Sequence, residues 1–256
     1  MSHSVSMQVF RSQVTRALDV FREEGLASVL SKSFQVPGTI VRSTRCRREL
    51  GGLKRDSSIE QLVDFACSCK EIAPIQIRSE LVRMLDVMQK ARSRTVVEIG
   101  TARGGTLMLF CCVAMSDATI VTIDLPCGRF GGGYSAFRVP LYQDFAWKSQ
   151  KIHLLRGDSH SNVTFEKSVS VLSGRPVDFL FIDGDHTYEG VRRDFELYSP
   201  LVGKRGIIAF HDIAKLAPNE NYGVYRLWEE LKHSYKWQEI IADPNQLGFG
   251  IGLLEK

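Results

Sequence analysis

The sequence lacks an apolar run that is long enough to cross a bilayer. The longest candidate, Thr106–Met115, spans ten residues, whereas a membrane-spanning helix needs roughly 20. The first residues, MSHSVSMQVFRSQ, lack the apolar core of a secretory signal peptide. Apolar residues make up 44% of the 256 residues and charged residues 24%, as in globular proteins with a sizeable core. We therefore expect a cytoplasmic protein without a membrane span.

The sequence also lacks a cysteine framework. None of its six cysteines forms a CxxC pair, and no histidine–cysteine spacing fits a zinc finger. Cys111 and Cys112 lie in an apolar segment that is predicted to be helical. We expect buried, reduced thiols rather than disulfides or a structural zinc site.

Positive charge is concentrated in the first part of the chain. Residues 1–55 hold ten Lys or Arg and four Asp or Glu, which is +6, so the remainder contributes about −2 to the total of +4. A cluster such as RSTRCRRELGGLKR can bind nucleic acid, an anionic lipid surface or an acidic substrate. It can equally be a solvated face or a tail that docks on another subunit, and this second interpretation is favoured.

Residues 1–75 are predicted to form a helical, basic extension. A helix-prone start breaks at Pro37 and Gly38 into a basic stretch that contains glycine. Apolar residues then recur at helical spacing at positions 59–66 and 77–88. We expect both of these apolar faces to be core.

From Thr95 onward, short apolar runs alternate with helical segments. The runs are TVVEIG, ATIVTIDL, KIHLLRG, VDFLFIDG, RGIIAFHD, KWQEIIA and GFGIGLLE. Short runs rich in β-branched residues between helices indicate βαβ units. The last two runs have no helix between them, which indicates an antiparallel edge. The predicted fold of residues 76–256 is α/β, a doubly wound and mostly parallel sheet with an antiparallel edge.

The connection after the second predicted strand is unusually long. It reaches from Leu125 to Gln150 and contains the glycine run 131–133 together with several aromatic residues. A mobile lid or substrate loop is favoured over an insertion that packs on the surface.

Polar residues or glycines follow each of the first five predicted strands. They are Glu98, Gly100, Thr101, Gly104 and Gly105 around the first strand end, Asp124 after the second, Asp158 and Ser159 after the third, Asp183, Asp185 and His186 after the fourth, and His211 and Asp212 after the fifth. Each residue alone is an ordinary turn or helix-cap candidate. Because ligands of doubly wound sheets bind outside the carboxyl ends of the strands, the five ends together predict one polar crevice.

The first turn restricts what can enter this crevice. It reads GTARGG instead of the GxGxxG of a dinucleotide site, and Glu98 lies just before it. A carboxylate there repels a pyrophosphate and suits a cationic ligand. Asp124 is well placed to accept hydrogen bonds from ribose hydroxyls.

Two groups of motifs carry a resemblance to a known family. VVEIGTARGGT followed by VTIDL resembles the S-adenosylmethionine-binding motifs of class I methyltransferases, and the variant EIGTxxG resembles the catechol-type O-methyltransferases. FIDGDHTYEGVRRDFELYSPLVGKRGIIAFHDI is similar to a bacterial group that includes macrolide-sugar O-methyltransferases and cephalosporin hydroxylase-like proteins. The resemblance covers residues 76–213 and implies a Rossmann-like methyltransferase fold.

The resemblance also implies roles for the matching residues. Glu98, Gly100 and Thr101 would bind the methionine part of S-adenosylmethionine, and Gly104 would belong to the same cofactor site. Asp124 would hold the ribose, and Asp158 with Ser159 the adenine edge. Asp183, His211 and Asp212 would hold a divalent metal, and His186 would be the general base beside Asp183. The bacterial group has Glu where this sequence has His211. Mg²⁺ prefers oxygen ligands and imidazole suits Mn²⁺, Fe²⁺ or Zn²⁺, so Mg²⁺ is favoured but Mn²⁺ and Fe²⁺ stay open.

The predicted function is metal-assisted O-methylation of a hydroxyl on a small molecule or sugar. One alternative is a hydroxylase-like enzyme of the same fold group, because imidazole is a common iron ligand. The other, less favoured, is a nucleic-acid-modifying or nucleic-acid-binding protein that uses the basic residues 1–55. The hypothesis for the extension is that it covers the substrate entrance or mediates a homo-oligomer.

Overall fold

A computed structural model describes residues 36–53, 57–126, 133–215 and 222–256. Its helices are α1 (Val36–Gly51), α2 (Ile59–Ser68), α3 (Arg78–Lys90), α4 (Gly105–Val113), α5 (Val139–Gln143), α6 (Asn162–Leu172), α7 (Tyr188–Tyr198) and α8 (Val224–Leu231). Its strands are β1 (Thr95–Ile99), β2 (Thr119–Asp124), β3 (Lys151–Arg156), β4 (Val177–Ile182), β5 (Val202–His211), β6 (Lys236–Ile240) and β7 (Ile251–Glu255). None of the helices in these ranges is long and apolar enough to span a membrane.

The strands form one sheet in the order β3-β2-β1-β4-β5-β7-β6. The first five strands run parallel to their neighbours, and β7 lies antiparallel between β5 and β6. The predicted α/β fold, a doubly wound and mostly parallel sheet with an antiparallel edge, is confirmed. The strand order reverses between β1 and β4, which is the place where such sheets bind ligands.

Helices cover both faces of the sheet. One face packs against α2, α3 and α4 through residues such as Leu62, Leu81 and Leu109. The other face packs against α6, α7 and α8, with Val191 and Leu227 among the buried residues. The apolar faces of α2 and α3 are therefore core, as their spacing predicts.

The basic stretch that begins at Pro37 and Gly38 is helical, which corrects the expectation of an irregular segment there. Both residues lie in the first turn of α1, where a proline is tolerated because its missing N–H has no partner inside the helix. Cys46 of α1 is buried with its Sγ atom 3.1 Å from that of Cys69. The part of the predicted extension at 1–35 lies outside the described residues, and a domain division at residue 75 stays a prediction.

The expected burial of Cys111 and Cys112 is confirmed. Both residues are buried in α4, and no disulfide joins the cysteines in the described ranges. Cys127 lies outside the described residues.

The long connection after β2 packs into the core in the part that the structure describes. Tyr142 and Phe145 are fully buried there, and their rings stack at 5.5 Å. The hydroxyl of Tyr142 donates to the carbonyl of Ala102 in the turn after β1 (3.0 Å). This packing favours the packed insertion over the lid for residues 133–150, while Gly131 and Gly132 lie outside the described residues.

Candidate functional site

A cavity of about 370 Å³ lies at the carboxyl ends of β1, β4 and β5. Its volume falls within the range of small-molecule sites in proteins. Its walls include Thr101, Asp183, His186, His211, Asp212 and Phe249. The structure therefore brings together the predicted residues of three strand ends at the point where the strand order reverses.

Glycine is required twice in the turn between β1 and α4. Gly100 has a φ of 92°, and a Cβ atom there would lie 2.0 Å from the carbonyl oxygen of Asp183. Gly104 has a φ of 84°, and a Cβ atom there would lie 2.7 Å from the ring of Tyr142. The missing side chains let Gly100 approach the end of β4 and Gly104 approach the ring of Tyr142.

Asp124 holds the same turn from the end of β2. One of its carboxylate oxygens accepts the backbone N–H groups of Thr101 (3.0 Å) and Ala102 (2.6 Å). Burial raises the pKa of Asp124 to about 6, although the two N–H groups oppose this shift. Asp124 thus fixes the shape of the first turn, and its contact with a ribose stays a prediction.

Glu98 lies on β1 beneath the turn and is fully buried. Its two oxygens accept hydrogen bonds from the hydroxyls of Thr106 (2.5 Å) and Thr122 (2.7 Å). Burial raises its pKa to about 8. The described structure therefore shows Glu98 as an internal anchor between β1, β2 and α4, and its contact with a cofactor stays a prediction.

Asp158 and Ser159 follow the end of β3 and do not line the cavity. Asp158 is exposed and accepts the backbone N–H of His160 (2.8 Å). His160 in turn places its Nε2 3.2 Å from a carboxylate oxygen of the fully buried Asp194. This contact raises the pKa of His160, against the smaller effect of its burial. The roles of Asp158 and Ser159 at an adenine edge stay predictions.

Asp183, His186 and Asp212 form a cluster that can hold a metal ion. Each offers one ligand atom, and these atoms lie within 4.8 Å of one another. His186 Nδ1 is 2.8 Å from Asp212 Oδ2, and Asp183 Oδ2 accepts a hydrogen bond from the side-chain amide of Gln76 (2.5 Å). Two carboxylates and an imidazole suit Mn²⁺ or Fe²⁺ as well as Mg²⁺.

His211 lies next to this cluster in the wall of the cavity and is almost completely buried. Its Nδ1 is 3.0 Å from Asp183 Oδ1 and 3.4 Å from Asp212 Oδ1. Burial alone would lower its pKa, but the two carboxylates outweigh burial and raise the pKa to about 10. The geometry offers His186 instead of His211 as the third ligand, and the ligand set stays a prediction.

The charges of the cluster depend on one another. Burial alone would raise the pKa of Asp212, but the contacts with His186 and His211 outweigh it and hold this pKa well below its usual range. Burial likewise opposes the charged form of His186, yet the hydrogen bond to Asp212 and the charge of Asp183 raise its pKa above the ordinary value. The site is a compact arrangement of two carboxylates and two imidazoles.

Sequence reasoning missed two side chains that shape the site. Gln76 bonds Asp183 across 107 positions of the chain, and Tyr222 places its ring 5.0 Å from that of His186. Neither residue belongs to a strand-end motif, and no local pattern marks either of them. Only the fold brings them to the cavity.

Comparison with known proteins agrees with this architecture. Residues 97–213 match a family described as a methyltransferase domain. The uncharacterised protein R132 of Acanthamoeba polyphaga mimivirus is 30% identical over 160 residues, which are 60% of this chain and 70% of that protein. The chain belongs to the methyltransferase family. The matched region contains most of β1, all of β2 to β5 and all of the predicted site residues.

Other relatives are more distant or only partly covered. The uncharacterised protein y4gI of Sinorhizobium fredii is 29% identical over 143 residues, which are 55% of this chain but only 15% of that protein. An O-methyltransferase from Bacillus cereus in complex with SAH has a TM-score of 0.54 at 15% identity, over 80% of this chain and 93% of that one. The O-methyltransferase TomG from Streptomyces achromogenes in complex with SAM has a TM-score of 0.53 at 16% identity, over 80% and 92%. At such identities the structures establish the shared fold.

Proposed function

We propose that this methyltransferase transfers the methyl group of S-adenosylmethionine to a hydroxyl of a small molecule or sugar, with the help of a divalent cation. The observation that carries the proposal is the cavity itself. It joins the glycine turn after β1 to the cluster of Asp183, His186 and Asp212 within one space of about 370 Å³. The names of the structural neighbours, which are O-methyltransferases with SAH or SAM, support the choice of cofactor.

The turn after β1 fits the methionine end of this cofactor. Because Gly100 lacks a side chain, its backbone approaches Asp183 closely and leaves room for a ligand over the turn. Asp124 holds the turn in place through the N–H groups of Thr101 and Ala102. S-adenosylmethionine, when bound, supplies a methyl group on a cationic sulfur, which is compatible with the surrounding carboxylates.

The acidic cluster fits a divalent cation. Asp183 and Asp212 would hold the ion with hard oxygen ligands, and Gln76 fixes the orientation of Asp183. A bound cation lowers the pKa of a coordinated hydroxyl and orients it. With an ion held between them, the two aspartates would place the acceptor hydroxyl in line with the methyl group.

His186 is the proposed general base. Its Nδ1 is turned to Asp212 at 2.8 Å, so Nε2 is the atom that would take the proton from the acceptor hydroxyl. The contact with Asp212 orients the ring and stabilises the charged imidazolium that results. A ligand role for His186 is the competing assignment, because its ring also lies within the cluster.

The proposal is tested by calorimetric titration of metal-stripped protein with S-adenosylmethionine, followed by Mg²⁺, Mn²⁺ and Fe²⁺. We expect the wild type to bind the cofactor with micromolar affinity. Asp124→Ala should bind it at least about tenfold more weakly, which corresponds to about 1.4 kcal/mol. The matched control is Asp117→Ala, because Asp117 is exposed, pairs with Arg94 and precedes β2 at its opposite end. Unmeasurable cofactor binding by the wild type would contradict the proposal.

Two further variants assign the residues of the cluster. Asp183→Ala should abolish the heat of metal binding while cofactor binding remains. His186→Ala should leave the metal affinity nearly unchanged if His186 is the base, and should weaken it if His186 is a ligand. Turnover of an acceptor that requires oxygen and a reductant would replace the methyltransferase proposal with the hydroxylase alternative.

A further inference from the structure

We propose that Glu80 is a positioning residue of the site, whose carboxylate holds the loop of residues 241–250 as a wall of the cavity and thereby orients Asp212. Only the part that concerns metal affinity rests on the proposed function. Glu80 lies on α3, whereas the loop connects β6 to β7. The two segments meet across more than 160 positions of the chain.

Glu80 is a fully buried carboxylate whose hydrogen bonds come from this loop. Oε1 accepts the backbone N–H of Ala242 (3.1 Å) and the side-chain amide of Gln246 (2.8 Å), and Oε2 accepts the backbone N–H of Gly250 (3.0 Å). Its side chain has no exposed surface. A carboxylate is costly to bury unless hydrogen bonds satisfy it. The three donors stabilise Glu80, and Glu80 fixes both ends of the loop in return.

The residue of the loop that contacts the site is adjacent in sequence to the residue that contacts Glu80. Gly250 donates to Glu80, and the neighbouring Phe249 donates its backbone N–H to Asp212 Oδ1 (3.1 Å). Leu247, Gly248 and Phe249 line the cavity. A displacement of Gly250 would therefore change both the wall of the cavity and the orientation of Asp212.

The backbone of this segment needs such support. Gly248, Phe249 and Gly250 have φ values of 75°, 57° and 80°. Glycine adopts this region freely, but a residue with a side chain is strained there by about 1–2 kcal/mol. The strained conformation of Phe249 persists because its neighbours hold it, and the bond from Gly250 to Glu80 is one of these constraints.

Gln246 forms a second anchor within the loop. Its Oε1 accepts the N–H groups of Ala242 (3.0 Å) and Asp243 (2.9 Å), and its Nε2 donates to Gly248 (3.0 Å) as well as to Glu80. Gln246 thus connects Glu80 to Gly248, which belongs to the part of the loop that lines the cavity. Removal of Gln246 should reproduce a part of the effect of removing the Glu80 carboxylate.

The test is hydrogen–deuterium exchange of the Glu80→Gln variant. Gln keeps the shape of Glu but replaces one acceptor oxygen by an amino group that faces an N–H donor. We expect exchange at Gly250 and Phe249 to be roughly ten- to hundredfold faster, as for a lost hydrogen bond to a charged group, and exchange in β5 to be unchanged. The control Asp86→Asn removes a carboxylate from the same helix, where Asp86 pairs with Lys90.

A second measurement separates positioning from a general loss of stability. In Glu80→Gln we expect about tenfold weaker Mn²⁺ binding and a smaller loss of affinity for S-adenosylmethionine, because the loop bonds Asp212 directly and otherwise only lines the cavity. Gln246→Ala should shift Mn²⁺ affinity in the same direction by a smaller factor. Mn²⁺ affinity equal to that of Asp86→Asn would overturn the positioning role.

The exchange data decide the inference even if the proposed function fails. A wild-type protein that binds neither Mn²⁺ nor S-adenosylmethionine would refute the proposed function. The amide of Phe249 would still report on its bond to Asp212. Exchange at Gly250 and Phe249 that is equal in Glu80→Gln and Asp86→Asn would overturn the role of Glu80.

Discussion

The absence of a side chain at Gly100 matters both for the fold and for the candidate site. The turn after β1 and the end of β4 come so close that a Cβ atom at position 100 would overlap the carbonyl group of Asp183. Asp183 is also a member of the cluster proposed to bind a metal. A side chain at position 100 would thus disturb a structural contact and a ligand together.

We predict that Gly100→Ala destabilises the protein more than Gly174→Ala does. Both glycines have a positive φ, 92° and 75°, so both substitutions carry a backbone strain of about 1–2 kcal/mol. Only Gly100 lacks space, because a Cβ atom at Gly174 has nothing within 4 Å. Overpacking should add about 1–3 kcal/mol at Gly100. Urea unfolding of the two variants measures the difference, and equal losses would contradict the close approach.

At the scale of single elements, α2 shows how a local sequence signal sets a helix end. Ser58 accepts the backbone N–H of Gln61 (3.3 Å), and the side chain of Gln61 accepts the N–H of Ser58 (3.0 Å). These reciprocal bonds satisfy two N–H groups that would otherwise lack partners. The helix then places Leu62, Val63 and Ala66 against the core of the sheet.

We predict that Ser58→Ala lowers the free energy of unfolding by about 1 kcal/mol, the usual loss for a removed N-cap. Ser57→Ala is the matched control, since Ser57 precedes the cap and takes no part in it. Urea unfolding should show a lower midpoint with an unchanged m-value in Ser58→Ala alone. A midpoint equal to that of the control would mean that packing, and not the cap, fixes the start of α2.

The elements of the sheet could be predicted from the sequence because their signals are local. All seven apolar runs became strands, and the pair without an intervening helix became the antiparallel β6 and β7. The stretch after Pro37 could not be predicted correctly from breaker residues alone. A proline ends a helix when it lies in the interior but is compatible with the first turn, and the sequence does not distinguish the two positions.

From the sequence, only those site residues that directly follow a strand could be predicted. Asp183, His186 and Asp212 follow strands, so a parallel sheet brings them together. Glu80 carried a weak signal, because it falls between Ile77 and Leu81 on the apolar face of α3, where a carboxylate must find partners. Its donors lie on a loop that no local pattern connects to α3.

At the scale of the whole molecule, the sheet concentrates buried carboxylates around one edge. Glu98, Asp124 and Asp212 are each at most 9% exposed, and Asp183 lies beside them. In Glu98 and Asp124, burial and the charges of neighbouring carboxylates raise the pKa. Burial raises the pKa of Glu98 to about 8. In Asp212, the contacts with His186 and His211 outweigh burial and hold the pKa below its usual range.

We predict that Glu98 makes the stability of the metal-free protein fall as the pH rises. The pKa of Glu98 is about 8 in the folded chain, above its ordinary value of 4.5, so between these values the folded state holds a proton that the unfolded chain has released. The stabilisation is therefore complete below about pH 4.5 and is lost as the pH approaches 8, by at most about 1.4 kcal/mol per pH unit.

Glu98→Gln isolates this effect because glutamine does not titrate. Urea unfolding between about pH 5 and 8 should show a smaller loss of stability in Glu98→Gln than in the wild type, whereas the exposed control Asp117→Asn should keep the wild-type slope. Parallel curves for the wild type and Glu98→Gln would mean that Glu98 is ionised in the folded protein. A carboxylate would then be present to attract the cationic end of a methionine group, and the predicted cofactor contact of Glu98 would gain support over its role as an internal anchor.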